Sequence, residues 1–122
     1  MNIELFPCSG GLAEGFRRAG ISFDLAIEIN EDHCESYEKN LGHRPTQMDV
    51  RSFLELLQNG WRPPQPVKML VADPPCVSWS RAGKRLGLDD PRDMLDGTCR
   101  IIALLKPEIY LIGNVPGLHA GP

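Results

Sequence analysis

Two kinds of apolar pattern alternate along the chain. Short, mostly apolar runs at 3–6, 23–29, 67–72 and 109–112 have the length and the β-branched content of buried strands. Between them, residues 12–19, 30–41, 51–58 and 94–106 scatter apolar side chains at helical intervals among polar ones. A further short strand is expected at 46–48. The punctuation agrees with these bounds. Gly20 and Gly42 supply helix stops, and Asn30 offers a cap ahead of Glu31 and Asp32, which favour a helix start. Pro107 ends the last helix. Leu12, Phe16 and Ala19 are expected to form the packed face of the first helix, while the second reads as a polar outer helix. Residues 59–66 are a proline-rich connector, too short and too stiff to join two domains.

Strands alternating with helices over five strands predict an α/β domain across residues 1–122. Its sheet should be parallel, with right-handed crossovers and a ligand at the point where the strand order reverses.

Composition narrows the setting. The longest apolar runs are about six residues, far short of a membrane span, and no basic and apolar leader precedes the first strand, so a cytoplasmic protein is expected. Cys8, Cys34, Cys76 and Cys99 are scattered without metal-ligand or disulfide spacing, which predicts reduced thiols and no metal. A net charge of −3 argues against a surface that binds nucleic acid all over. Between Arg81 and Arg92, however, four basic residues face two acidic ones, a locally positive stretch that reads either as a solvated loop or as a phosphate contact.

The first strand runs into Pro7-Cys8-Ser9-Gly10-Gly11, a glycine-rich turn that opens a helix. Glu28 follows 18 residues after Gly10, at the end of the second strand. A glycine turn whose helix offers free N–H groups, paired with a carboxylate at that distance, is the arrangement with which a βαβ unit holds a nucleotide and its ribose. An ordinary left-handed turn would look the same. Asp49 is equally double in meaning, since it suits a ligand contact or the cap of the helix at 51–58.

The densest stretch is Val71-Ala72-Asp73-Pro74-Pro75-Cys76-Val77-Ser78-Trp79-Ser80-Arg81. An apolar strand stops at two prolines, which remove backbone donors and hold the chain extended, and a cysteine is presented at the strand's end. Such a thiol is either a buried turn residue or a nucleophile in the crevice where α/β sheets collect ligands. Pro-Pro-Cys followed by Ser-Trp-Ser-Arg-Ala-Gly and by Gly87-Leu88-Asp89-Asp90-Pro91-Arg92 resembles the catalytic motif of the DNA cytosine-5 methyltransferases. Glu4-Leu5-Phe6 through Gly10-Gly11 and Gly15-Phe16 is similar to that family's cofactor motif, and Gly113-Asn114-Val115 to its Glu-Asn-Val motif.

The resemblance implies a Rossmann-like fold that binds S-adenosyl-L-methionine through Phe6, Ser9, Gly10, Gly11, Glu28, Ile29, Asp49, Val50 and Pro74. Glu28 would meet the ribose and Asp49 the adenine amino group. Cys76 would attack C6 of a cytosine flipped out of double-stranded DNA, and methyl would pass to C5, as in DNA methylation by restriction-modification systems. The chain departs from the family at Glu4, where the cofactor motif usually opens with aspartate, and at three further places. Val77 stands for the usual glutamine, Cys8 for the first loop glycine, and Gly113 for the glutamate that favours protonation at cytosine N3. Cys8, bearing a Cβ, is expected to leave the glycine-like backbone or to push the methionine moiety aside.

The resemblance covers the front part of the family's pattern and implies an N-terminal portion of the catalytic domain, without the target-recognition region. Such a chain is expected to be poorly active and to self-associate through an open sheet edge. Two other readings remain. One is a non-catalytic remnant that keeps only the cofactor pocket or the fold. The other, from Asp73-Pro74-Pro75, is a methyltransferase acting on exocyclic amino groups, although Cys76 stands where those enzymes stack an aromatic ring.

Overall fold

The computed structural model describes residues 1–75 and 94–113. Five strands and four helices follow one another: β1 (Asn2–Leu5), α1 (Gly11–Arg18), β2 (Leu25–Glu28), α2 (Glu31–Leu41), β3 (Thr46–Gln47), α3 (Val50–Gln58), β4 (Met69–Ala72), α4 (Leu95–Leu105) and β5 (Ile109–Ile112). The strands pair in parallel in the order β3-β2-β1-β4-β5. Pairing of Leu5 with both Ile27 and Ala72, and of Ala72 with Ile112, levels the carboxyl ends of four strands. The loops after β1, β2 and β4 therefore leave from one edge. The order reverses between β1 and β4, so a crevice is expected above β1.

Helices cover both faces of the sheet, which is why its strands read as mostly apolar rather than alternating runs. Ile3, Leu5, Ile27, Leu70 and Ala72 pack on one face with Phe53 and Leu57 of α3 and Ile101 of α4. Ala26 and Val71 pack on the other with Ala13 of α1 and Tyr37 of α2.

Two expectations about the helices need correction. Leu12 is 44% exposed, and Ala13, at 2%, takes the buried place next to it. With only eight residues, α1 aims positions 13 and 16 at the sheet, and Phe16 meets Phe23 edge-on at 5.4 Å. The second helix is not merely outer and polar. Cys34 and Tyr37 are fully buried and Leu41 packs behind them, so one narrow stripe at positions 34, 37 and 41 docks an otherwise hydrophilic helix.

Gly10 locks these two helices together. Its φ is +92°, and a Cβ there would lie 2.7 Å from Leu41 Cδ2 and 2.9 Å from Tyr37 Cδ2. Gly42 caps α2 at φ +83° with open space around it. Gly42→Ala should therefore cost only the backbone term, about 1–2 kcal/mol, whereas Gly10→Ala adds an overlap worth about 1–3 kcal/mol more. Urea unfolding of both variants reads the difference, and equal midpoints would refute the packing role given to Gly10.

At the other end of the sheet, Ile109, Tyr110 and Leu111 of β5 are each more than half exposed. An apolar edge strand is a template for pairing. Sedimentation at rising concentration should reveal self-association that Leu111→Lys shifts towards monomer; a monomeric wild-type chain would contradict it.

Candidate functional site

The loop after β1 and the end of β2 are tied by one carboxylate. Glu28, 6% exposed, accepts from the Cys8 N–H through Oε1 at 3.0 Å and from the Asn30 N–H through Oε2 at 2.8 Å. His33 Nδ1 stands 3.7 Å from Oε2. Two backbone bonds leave further lone pairs on the carboxylate for ligand hydroxyls.

The expectation that Cys8 leaves the glycine-like backbone is not met. Cys8 has φ +52° and Phe6 φ +57°, so both stand in the left-handed region despite their Cβ atoms. That conformation costs roughly 1–2 kcal/mol per residue and is offset at Cys8 by the charged hydrogen bond to Glu28. Burial, and then the charges of Glu28, Asp73 and Glu4, push the Cys8 thiol up.

The other expected cofactor residues sort by accessibility. Ile29, just beyond β2, is 60% exposed beside the Glu28 carboxylate, a free apolar surface of the kind a planar base can cover. Ser9 is exposed, and its carbonyl accepts from Asn40 Nδ2 at 3.2 Å. Gly11 has open space where a side chain would begin, whereas Gly10 is enclosed by α2. Phe6 is half-buried against the core. Val50 is 4% exposed and turns its side chain into the core, so only its backbone is available to a ligand. Asp49 caps α3, accepting from the Arg51 N–H at 2.9 Å and pairing with the Arg51 guanidinium at 3.0 Å. The Arg51 hydrogen bonds hold its carboxyl below the usual range.

Across the switch point, Pro74 is buried and Asp73 exposed, with the Asp73 N–H donating to Leu5 O at 3.3 Å. Gly113 lies beside it at the end of β5, and a Cβ at 113 would begin 3.0 Å from Asp73 Oδ1. Cys76, the basic stretch at 81–92, and Asn114 with Val115 lie outside the described residues.

Glu4, which opens the cofactor-like motif, has surroundings that the motif does not show. It is 1% exposed on β1, on the sheet face occupied by Tyr37, whose hydroxyl donates to Oε1 across 3.5 Å. Its Oε2 has no hydrogen-bond partner among the described residues. Burial raises the carboxyl from 4.5 to about 7, with the Tyr37 bond partly opposing, and burial likewise pushes the Tyr37 phenol up. The available signal was a carboxylate inside an apolar run on a strand buried on both faces.

Because the folded-state value is the higher one, Glu4 stabilises the fold fully below about pH 4.5, and that contribution is lost as pH rises through 7. The loss amounts to about 3 kcal/mol. Glu4→Gln stays neutral, so its stability should exceed that of the wild type progressively from pH 5 to pH 8. Parallel urea curves over that interval would contradict the assignment.

The sequence profile described as C-5 cytosine-specific DNA methylase matches residues 1–121. The chain is 33% identical over 120 residues to the Type II methyltransferase M.AquIA of Picosynechococcus sp., covering 95% of this chain and 48% of that protein. It is 35% identical over 119 residues to M.FnuDI of Fusobacterium nucleatum, covering 95% and 32%. Among solved structures, the S. pombe Dnmt2 methyltransferase superposes with TM-score 0.65 at 27% identity, over 98% of this chain and 37% of that one. An E. coli prophage protein described as a DNA modification methyltransferase superposes with TM-score 0.74 at 30% identity, over 96% and 32%. The chain thus spans from a third to about half of the length of these relatives.

Proposed function

Because the chain belongs to the C-5 cytosine-specific DNA methylase family, we propose that it serves methyl transfer from S-adenosyl-L-methionine to C5 of cytosine in double-stranded DNA, and that residues 1–122 form the cofactor-side portion of the methyltransferase domain. The observation that carries this reading is the buried Glu28 carboxylate at the carboxyl end of β2. It keeps lone pairs for ribose hydroxyls, next to the uncovered side chain of Ile29. The adenine ring would rest on Ile29, with its amino group towards Asp49 and the backbone of Val50. Phe6, Ser9, Gly10, Gly11 and Pro74 would enclose the remainder.

When bound, the sulfonium supplies the methyl group. The Cys76 thiolate would add to C6, which makes C5 nucleophilic. Once C5 is methylated, loss of its proton and of the C6–S bond restores the ring and frees the thiol. Addition is easier when N3 is protonated, and Gly113 has no side chain for that. A carboxylate does stand close to this spot, just past the end of β4, because Asp73 Oδ1 lies 3.0 Å from where a residue-113 side chain would begin. Asp73 is therefore our candidate for the acid. A positioned acid contributes about 10²- to 10⁴-fold.

The family resemblance alone would favour Gly113→Glu as a gain of function, but a second carboxylate would be crowded against Asp73 and repelled by it. We expect Gly113→Glu alone to lower whatever transfer the chain has, and the pair Asp73→Gly with Gly113→Glu to recover it. A second reading, a cofactor-binding domain without catalysis, is favoured by the same missing glutamate.

Labelled S-adenosylmethionine, photo-crosslinked to the chain, and transfer of its methyl group to duplex DNA distinguish these readings. The expected result is labelling cut at least about tenfold by Glu28→Ala, with slow transfer that Cys76→Ser abolishes and Asp73→Ala lowers about 10²-fold. Labelling without any Cys76-dependent transfer would support the binding domain. Labelling indifferent to Glu28 would remove the ribose contact.

A further inference from the structure

Around Glu28 the chain gathers three unlike donors whose sequence spacing matches no metal motif. The Cys8 thiol, a Glu28 carboxylate oxygen and a His33 imidazole nitrogen all lie within 4.8 Å of one another. They come from the β1 loop, the end of β2 and the first turn of α2, three segments held in place by the Glu28 and Asn30 hydrogen bonds. We infer that Cys8, Glu28 and His33 form a binding site for one borderline-soft divalent cation of the Zn2+ class, with a fourth position open to solvent.

Thiolate, imidazole and carboxylate together are a zinc donor set, and three protein ligands with an open position is a common zinc arrangement. Donors about 3.3–3.8 Å apart surround a tetrahedral Zn2+ with bonds of 2.0–2.3 Å. Closing from 4.8 Å therefore needs a shift of about 1 Å, which Cys8, exposed, and His33, 41% exposed, can make by side-chain rotation. Glu28 can bind without giving up its two backbone donors, since each oxygen keeps a second lone pair.

Electrostatics favour a cation here. Among the described residues only His33 comes within ion-pair distance of Glu28. Glu28 and Asp73 add their charge at Cys8. The field that disfavours a bare thiolate attracts a dication, which in turn stabilises the thiolate as it binds. The exposed cysteine then has a use that an ordinary loop glycine could not supply. Metal and ribose hydroxyls would be alternative occupants of Glu28, but the metal site does not depend on the cofactor reading.

The experiment titrates the reduced, chelator-treated chain with Co2+ as a spectroscopic stand-in and then with Zn2+, alongside Cys8→Ser and His33→Gln. All variants keep Cys34, Cys76 and Cys99. The wild type should develop a thiolate-to-cobalt charge-transfer band that Zn2+ displaces at one equivalent. Cys8→Ser should lack the band, and His33→Gln should lower Zn2+ affinity at least about tenfold. A wild type without the band overturns the inference, as does a band that survives Cys8→Ser. Zn2+ affinity unchanged in His33→Gln also overturns it, and this variant carries the test should Cys8→Ser fail to fold.

Discussion

The carboxyl edge of the sheet depends on one buried carboxylate. Glu28 closes β2 and binds the N–H groups of Cys8 and Asn30, so a single side chain fixes where the loop after β1 runs and where α2 begins. Hydrogen bonds to an ionised acceptor are about twice as strong as neutral ones. That margin explains how Cys8 persists in a backbone region that resists a Cβ. Without the carboxylate, the β1 loop would lose the bond that offsets its strain, and α2 would lose the anchor beside its cap.

Two glutamates lie close to the same crevice and behave differently because their partners differ. Glu28 is surrounded by backbone donors and a histidine, whereas among the described residues Glu4 has one long bond from Tyr37 and an Oε2 without a partner. Burial without donors favours the neutral acid. Glu4 is thus a point where the fold holds a proton near neutrality, directly beneath the helices that carry the glycine loop. Gly10 adds a steric constraint at the same junction, since α1 starts only where α2 leaves it room.

Further apolar surface lies on α1 and β5. Gly11, Leu12, Gly15, Phe16 and Ala19 line a shallow hollow of about 310 Å³ on the outer side of α1, and β5 presents three uncovered apolar side chains. Exposed apolar patches of this kind mark surfaces that contact something else. No described helix is long and apolar enough to cross a membrane.

Local chemistry, legible along the chain, determined the elements and their kind: apolar runs bounded by Gly and Pro, Asn30 as a cap, Glu28 at a strand end, and the motif around Cys76 that led to the family. Strand order was partly legible, because a strand-helix alternation with a glycine loop after β1 leaves few topologies. Contacts between segments distant in sequence were not. Gly10 looked like a residue for ligand approach, yet its neighbours are Tyr37 and Leu41, some thirty positions away. Cys8 looked like a misfit in a glycine loop until Glu28 supplied a partner for its N–H. Nothing in the spacing of Cys8, Glu28 and His33, or of Asp73 and Gly113, announced that each set shares one small volume. Pairing of β1 with β2 and of β4 with β5 brings them together, and only the folded sheet fixes that register.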